Sequence, residues 1–288
     1  MHKKNLFICL IGLSIFFLSS CTKEMSEEND GIPPVQNFTP SVPAADSNYL
    51  DKIFFRDTSI ITGEIDSSVF IFNYDAQKRL KDVIAKNGLN GTVSINFLSF
   101  YYYQNDTLPY KVTQSGEYHY YYFYDNMGRV VKDSLIDFAT NTLYRVGAYS
   151  YGISKIFLQV DRQNIIDRDT FSLDARGNVT AVTFSSVVNG ISALTATVSA
   201  VFDNKPNPYI KIPEYRNFIF SYDYYYRNIG DLYRANNLIS SVYTDYSSGF
   251  PDTDNYYYSN TYYPNGLPKN VIQSGSERSN ETFIYKAL

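Results

Sequence analysis

The chain predicts an all-β fold, an antiparallel meander of hairpins forming a curved or twisted repeat sheet, with at most a short helix near 213–234. Three observations predict it. Among 288 residues there are 29 Tyr and 20 Phe but no Trp, an aromatic load that suits the pleated surface of a sheet. From Tyr49 onward, short runs of alternating apolar residues are separated by Gly, Asn and Asp, the pattern of half-buried strands and turns. One short segment also returns at regular intervals, with its aspartate at Asp75, Asp125 and Asp174, 50 and 49 residues apart.

The first fifty residues stand apart from that pattern. Lys3 and Lys4 precede a thirteen-residue apolar run, Leu6 to Leu18, a length that fits the core of a signal peptide and is short for a membrane span. The run ends in Leu18-Ser19-Ser20-Cys21, which resembles the lipobox of bacterial lipoproteins. The resemblance implies that residues 1–20 are a signal peptide and that Cys21 becomes an acylated N-terminus. Each buried methylene contributes about 0.8 kcal/mol, so two or three acyl chains hold where one would not. Residues 21–48 follow as an acidic tether, with Glu24, Glu27, Glu28 and Asp30 and then Pro33, Pro34, Pro40 and Pro43, a composition that disfavours a packed core. Thr22 is not the aspartate of inner-membrane retention, and the Lys-Glu and Glu-Glu pairs resemble the export tag of surface lipoproteins. The expected location is the outer membrane, lipid-anchored and exposed at the cell surface, with the periplasmic face as the alternative.

Residues 49–288 are read as a single domain, and its chemistry is sparse. Without the signal, Cys21 and His119 are the only cysteine and histidine, too few for a zinc site. One cysteine makes no internal disulfide. Net charge is -4, and loss of Lys3 and Lys4 leaves 23 cations against 29 acids, or -6, which disfavours nucleic acid as a partner. No nucleophile elbow, P-loop or His-Glu-x-x-His is present. His119, on a strand, is expected to point away from its tyrosine neighbours, and Asp161, Asp167 and Asp169 read as a charged hairpin end. No enzyme activity, metal or cofactor is expected.

The recurring segments are Tyr74-Asp75-Ala76-Gln77-Lys78-Arg79-Leu80, Tyr124-Asp125-Asn126-Met127-Gly128-Arg129-Val130 and Leu173-Asp174-Ala175-Arg176-Gly177-Asn178-Val179. Aspartate at the first turn position accepts from following amides, and Gly128 and Gly177 supply the positive φ that closes a type I turn with a bulge. Lys78 replaces that glycine at some cost. Tyr262-Tyr263-Pro264-Asn265-Gly266-Leu267 is a degenerate fourth copy. These segments resemble the YD repeat of Rhs-type and teneurin-like shells, and more closely the small Gram-negative lipoproteins of unknown function that carry a few such repeats. Val201 to Tyr209, with Asp203, Asn207 and Pro208, and Ala235 to Ile239, with Asn236 and Asn237, also resemble a signature of that group. A repeat of this length holds two hairpins, with neighbours stacking by strand pairing. Further turns are expected at Asn87-Gly88 to Gly91, Asn105 to Pro109, Ser115-Gly116 and Asn189-Gly190.

Period-two alternation puts Tyr118, Tyr120, Tyr122 and Tyr124 on one strand face, with Tyr121 and Phe123 on the other. Phe218 to Tyr226, and Tyr256, Tyr258 and Tyr262, repeat the pattern. Such a row is either a binding platform for sugar rings or a partner protein, or part of the packed core. The functional expectation is a non-enzymatic interaction or structural module of the envelope, with a glycan-binding lipoprotein of carbohydrate uptake as the alternative.

Overall fold

The computed structural model describes residues 49–58, 65–89, 92–104, 106–162, 165–212, 235–276 and 278–288. The expected signal peptide, Cys21, the tether, and the expected helix and aromatic row within 213–234 lie outside the described residues. Among the described residues there are sixteen strands. The first eight are β1 (Tyr49–Thr58), β2 (Ile65–Tyr74), β3 (Leu80–Leu89), β4 (Thr92–Tyr101), β5 (Lys111–Gln114), β6 (Tyr118–Tyr124), β7 (Val130–Asp137) and β8 (Leu143–Tyr151). The others are β9 (Lys155–Arg162), β10 (Ile165–Leu173), β11 (Val179–Val188), β12 (Ile191–Pro206), β13 (Asn236–Asp245), β14 (Asp252–Tyr262), β15 (Pro268–Gly275) and β16 (Ser279–Lys286). One 3-10 turn, Pro208–Lys211, follows β12.

The all-β antiparallel expectation holds, but the open curved sheet does not: each strand pairs with the next, and β16 returns to β1, closing a barrel. Tyr49 faces Lys286 and Asp57 faces Ser279 across the closure. The physical reason is the edge. An open meander leaves two strands with unpaired amides and carbonyls, and pairing the first with the last removes both edges. Each repeat contributes four strands, so four repeats complete the circuit. The hairpins at Asp75, Asp125, Asp174 and Tyr263 all fall at one rim, which also holds both ends of the domain; it is called the repeat rim below.

Inward and outward residues alternate. In β9, Ile156, Leu158 and Val160 are buried while Phe157 and Asp161 are exposed. Inward side chains from all around the barrel, including Leu50, Phe72, Leu80, Val83, Leu98, Val112, Val160 and Val179 at 0% exposure, belong to one apolar cluster. A round barrel of sixteen strands would enclose a water-filled channel; here the inward side chains of the described residues pack on one another. The outer wall carries Lys52, Lys86, Lys111, Lys132, Asp161 and Arg168 within its strands. Those charges stand among exposed apolar side chains such as Phe97, Phe157 and Ile272, whereas a wall that faces lipid is disfavoured by charge.

Several interior positions are polar. Arg145 pairs with buried Asp133 at 3.3 Å, and Tyr149 donates to the same carboxylate. Residue 147, directly opposite Asp133, is glycine because an added Cβ would lie 2.8 Å from the carboxylate oxygen. Asp167 and Asp169 are also turned inward, 4% and 2% exposed, which corrects the reading of an exposed charged hairpin end. Arg162 reaches Asp167 across that hairpin and offsets the cost of burying its charge. Asn87-Gly88 lies inside β3 and is not a turn, since Leu89 extends the pairing to Thr92. Ser115-Gly116 and Asn189-Gly190 are hairpin turns, each with two consecutive positive φ values.

Candidate functional site

The repeat turns are built as their sequence requires. In the second copy Asp125 accepts from the amides of Met127 and Arg129, both at 2.9 Å, and the Gly128 amide returns to the Asp125 carbonyl. Asp75 and Asp174 make the same bonds to Gln77 and Arg79, and to Arg176 and Asn178. Lys78 adopts φ 64°, beside 74° at Gly128 and 85° at Gly177. The Arg129 amide and side chain hold the Asp125 carboxyl below its ordinary value of 3.8. Arg79 and Arg129 each reach back to their aspartate at 2.7 Å and lie 4.3 and 4.4 Å over the rings of Tyr102 and Tyr151. Those tyrosines donate in turn to the carbonyls of Leu80 and Val130. Part of the tyrosine excess therefore fastens one hairpin to the next at this rim.

The third copy departs from this plan, and the departure has a purpose. Asn178 stands where the first two copies have arginine, and it is 1% exposed. Its Oδ1 accepts from the amides of Ala235 and Asn236, both at 2.9 Å. Its Nδ2 donates to Asp174 at 2.8 Å and to Asn236 at 3.0 Å. Asp203 accepts from the amides of Lys205 and Asn237 and from the Tyr262 hydroxyl. Burial, together with the Asp203 carboxylate, pushes the pKa of that hydroxyl well up. Asn207 caps the 3-10 turn through the Tyr209 amide. The two stretches singled out in sequence, around Asp203 and around Asn236, thus meet as a polar neck that joins the end of β12 and its 3-10 turn to the start of β13. Beside it opens a narrow cleft lined by Tyr209, Tyr258, Asn260, Glu281 and Phe283 among others.

The tyrosine row of β6 points inward. Tyr120 and Tyr122 are 2% and 4% exposed, and Tyr118 and Tyr124 pack against the same cluster. Of the two readings left open by the sequence, the row fills the core, because curvature turns this face toward the packed interior, and it is not accessible as a platform. Tyr124 also donates to the Pro109 carbonyl. In β14 Tyr256 is likewise buried, and Tyr258 and Tyr262 are half-buried.

The accessible aromatic surface is the other face of the same strand. His119, Tyr121 and Phe123 look outward, as alternation predicts. Cross-strand register places Tyr101 of β4, Lys111 of β5 and Tyr121 of β6 side by side, with Lys132 of β7 beside Phe123. The Lys111 ammonium sits 5.5 Å from both tyrosine rings, and Lys132 sits 5.6 Å from the Phe123 ring. Tyr101 and Phe123 are 43% and 51% exposed. Burial and the neighbouring Lys111 lower the pKa of His119 below 6.5, so this ring is uncharged at neutral pH. Sequence alternation exposed one strand of this strip, but Tyr101 and Lys111 join it only through pairing with the four-residue β5. Among the described residues, no group of three or more His, Cys, Asp or Glu is placed to hold a metal ion.

No protein-family profile matches the chain, and no curated protein matches it. Solved structures do resemble it. A porin-like protein from Bacteroides uniformis is 13% identical, with a TM-score of 0.50 over 86% of this chain and 100% of that one. A porin-like protein from Bacteroides vulgatus is 11% identical, with a TM-score of 0.43 over 84% of this chain and 100% of that one. The first likeness supports the closed antiparallel barrel as an existing fold.

Proposed function

We propose that this chain is a lipid-anchored lipoprotein of the outer membrane whose barrel stands in water as a non-enzymatic interaction or structural module of the envelope. The observation that carries the reading is the polarity of the barrel. Among the described residues the interior is one packed apolar cluster, and the wall that would have to face lipid carries lysines, arginine and aspartate among its exposed apolar side chains, charges that a lipid-facing wall disfavours. Membrane attachment then falls to acylated Cys21, with the acidic tether joining at Tyr49 on the repeat rim. The porin-like name of the solved neighbours fits an envelope setting, while pore formation does not carry over to a packed barrel.

The test is fractionation of the Cys21→Ser variant. We expect it to move from the membrane pellet to the soluble fraction, correctly folded. Retention of the variant in the membrane would mean that the barrel itself inserts, and would sink the reading. The glycan-binding alternative draws on a specific observation, the exposed outer strip of Tyr101, Lys111, Tyr121, Phe123 and Lys132.

A further inference from the structure

The outer wall of β4 to β8 combines three properties that coincide nowhere in the sequence. Its rings belong to no core cluster: Tyr101 and Phe123 are exposed and Tyr121 is half-buried, all three standing outward on β4 and β6. Its cations lie between or beside those rings, with Lys111 equidistant from Tyr101 and Tyr121 and Lys132 against Phe123. It also lacks outward acids. Across the paired rows Tyr101, Lys111, Tyr121, Ser134 and Val146, and Phe123, Lys132 and Ala148, no carboxylate faces out until Asp161 of β9, opposite Val146, and Asp133 of β7 is turned into the core. The chain as a whole is net acidic, so this wall is a local reversal of charge.

We infer that this strip binds an acidic polysaccharide, its sugar rings lying on Tyr101, Tyr121 and Phe123 and its carboxylates meeting Lys111 and Lys132. The inference rests on the water-exposed reading of the barrel and names a ligand class for it. Tyr101 and Tyr121 stand two strand spacings apart, about 10 Å, with the ammonium between them, so ring and charge alternate along a line across the strands. An extended polymer of sugar rings and carboxylates has the same alternation. Aromatic faces accept the C–H face of a sugar while their hydroxyls serve its oxygens. An acidic peptide has less to hold it here, since the closed barrel offers no strand edge for pairing.

The test uses full-length protein in mild detergent with two probes, polygalacturonic acid and its fully methyl-esterified form, in which the sugar chain is kept and the charge removed. We expect binding to the acid polymer, weakened at least about tenfold for the ester. Lys111→Gln with Lys132→Gln should weaken acid-polymer binding about tenfold, and Tyr101→Leu with Tyr121→Leu should weaken both polymers. Tyr257→Leu, an exposed ring on the far wall, should change nothing. Thermal melts identify variants that fail to fold; for those, Lys111→Gln alone carries the comparison. Equal affinity for acid and ester, equal affinity for polyglutamate, wild-type binding by the folded variants, or no binding at all would each overturn the inference. Fractionation of Cys21→Ser is read separately, so a barrel that inserts in the membrane and a strip that binds no acidic sugar are distinct failures.

Discussion

The turns at Asp125 and Asp174 have the same backbone and different fifth residues. In both, the aspartate amide donates to the carbonyl four residues on, at 2.9 and 3.0 Å, and the glycine amide donates back to the aspartate carbonyl. Arg129 then lies outward over Tyr151, whereas Asn178 turns inward and holds the neck through the amides of Ala235 and Asn236. The shape of the turn leaves the fifth position free for whatever its quarter of the barrel demands. The other two copies mark the tolerance of that shape. The first keeps aspartate and loses glycine to Lys78, while the last keeps Gly266 and replaces aspartate by Tyr263, with the same two backbone bonds in each. Either signal can be absent when the other is present.

The sharpest way to break the comparison is to truncate both fifth residues. Asn178→Ala leaves the amides of Ala235 and Asn236 without their acceptor at a largely buried site and takes one of three donors from Asp174, and we expect a loss of about 3 kcal/mol by denaturant unfolding. Arg129→Ala removes a half-exposed cation and a ring contact, and its loss should be clearly smaller. Equal losses would show that Asn178 serves only its own turn.

A second effect is set by pH. The carboxyls of Asp75, Asp125 and Asp174 are held below 3.8: at Asp125 by the Arg129 amide and side chain, and at the other two by hydrogen bonds that outweigh burial. Folded values below the unfolded value mean stability that is complete above about pH 3.8 and is lost as pH falls through the depressed folded values. Unfolding midpoints should therefore be flat with respect to these groups from neutral pH to about 4 and fall below it. Asp125→Asn should shallow that fall. An unchanged acid slope would place the linked protons elsewhere.

The smallest expected effect sharpens the rule on left-handed positions. Lys78→Gly relieves a side chain at φ 64° at the cost of an exposed bond to the Leu288 carbonyl, and should stabilise by roughly 0.5 kcal/mol in thermal melts. A loss would mean that the contact with the C-terminal residue outweighs the backbone strain.

Much of this could be read from the chain because it is local. An aspartate and a glycine three residues apart fix a turn without reference to the rest of the molecule, and alternation in Tyr118 to Tyr124 fixes which residues share a face. The neck was legible only as two unusual stretches, around Asp203 and around Asn236, which meet across 34 residues through Asp203 and the Asn237 amide and which Asn178 secures from 58 residues away. Asp167 and Asp169 misled for a related reason. Their charges suggested solvent, but the register with β9 brings Arg162 to Asp167 and makes burial tolerable. The strip on the outer wall was half legible, because its β6 residues follow from alternation while Lys111 enters through the pairing of β5.

Sequence alone determined β structure, the hairpin corners, the four-strand repeat and the two faces of β6, since each depends on residues within one or two turns of chain. Tertiary structure decided that the sheet closes and which face lies inside. Closure joins Tyr49 to Lys286, and inside is defined only by the accumulated twist and curvature of sixteen strands, a property that no single strand carries. That decision assigns the large tyrosine count as well: one face of β6 packs the core, and the other, with Lys111 and Lys132, is what the barrel presents to its surroundings.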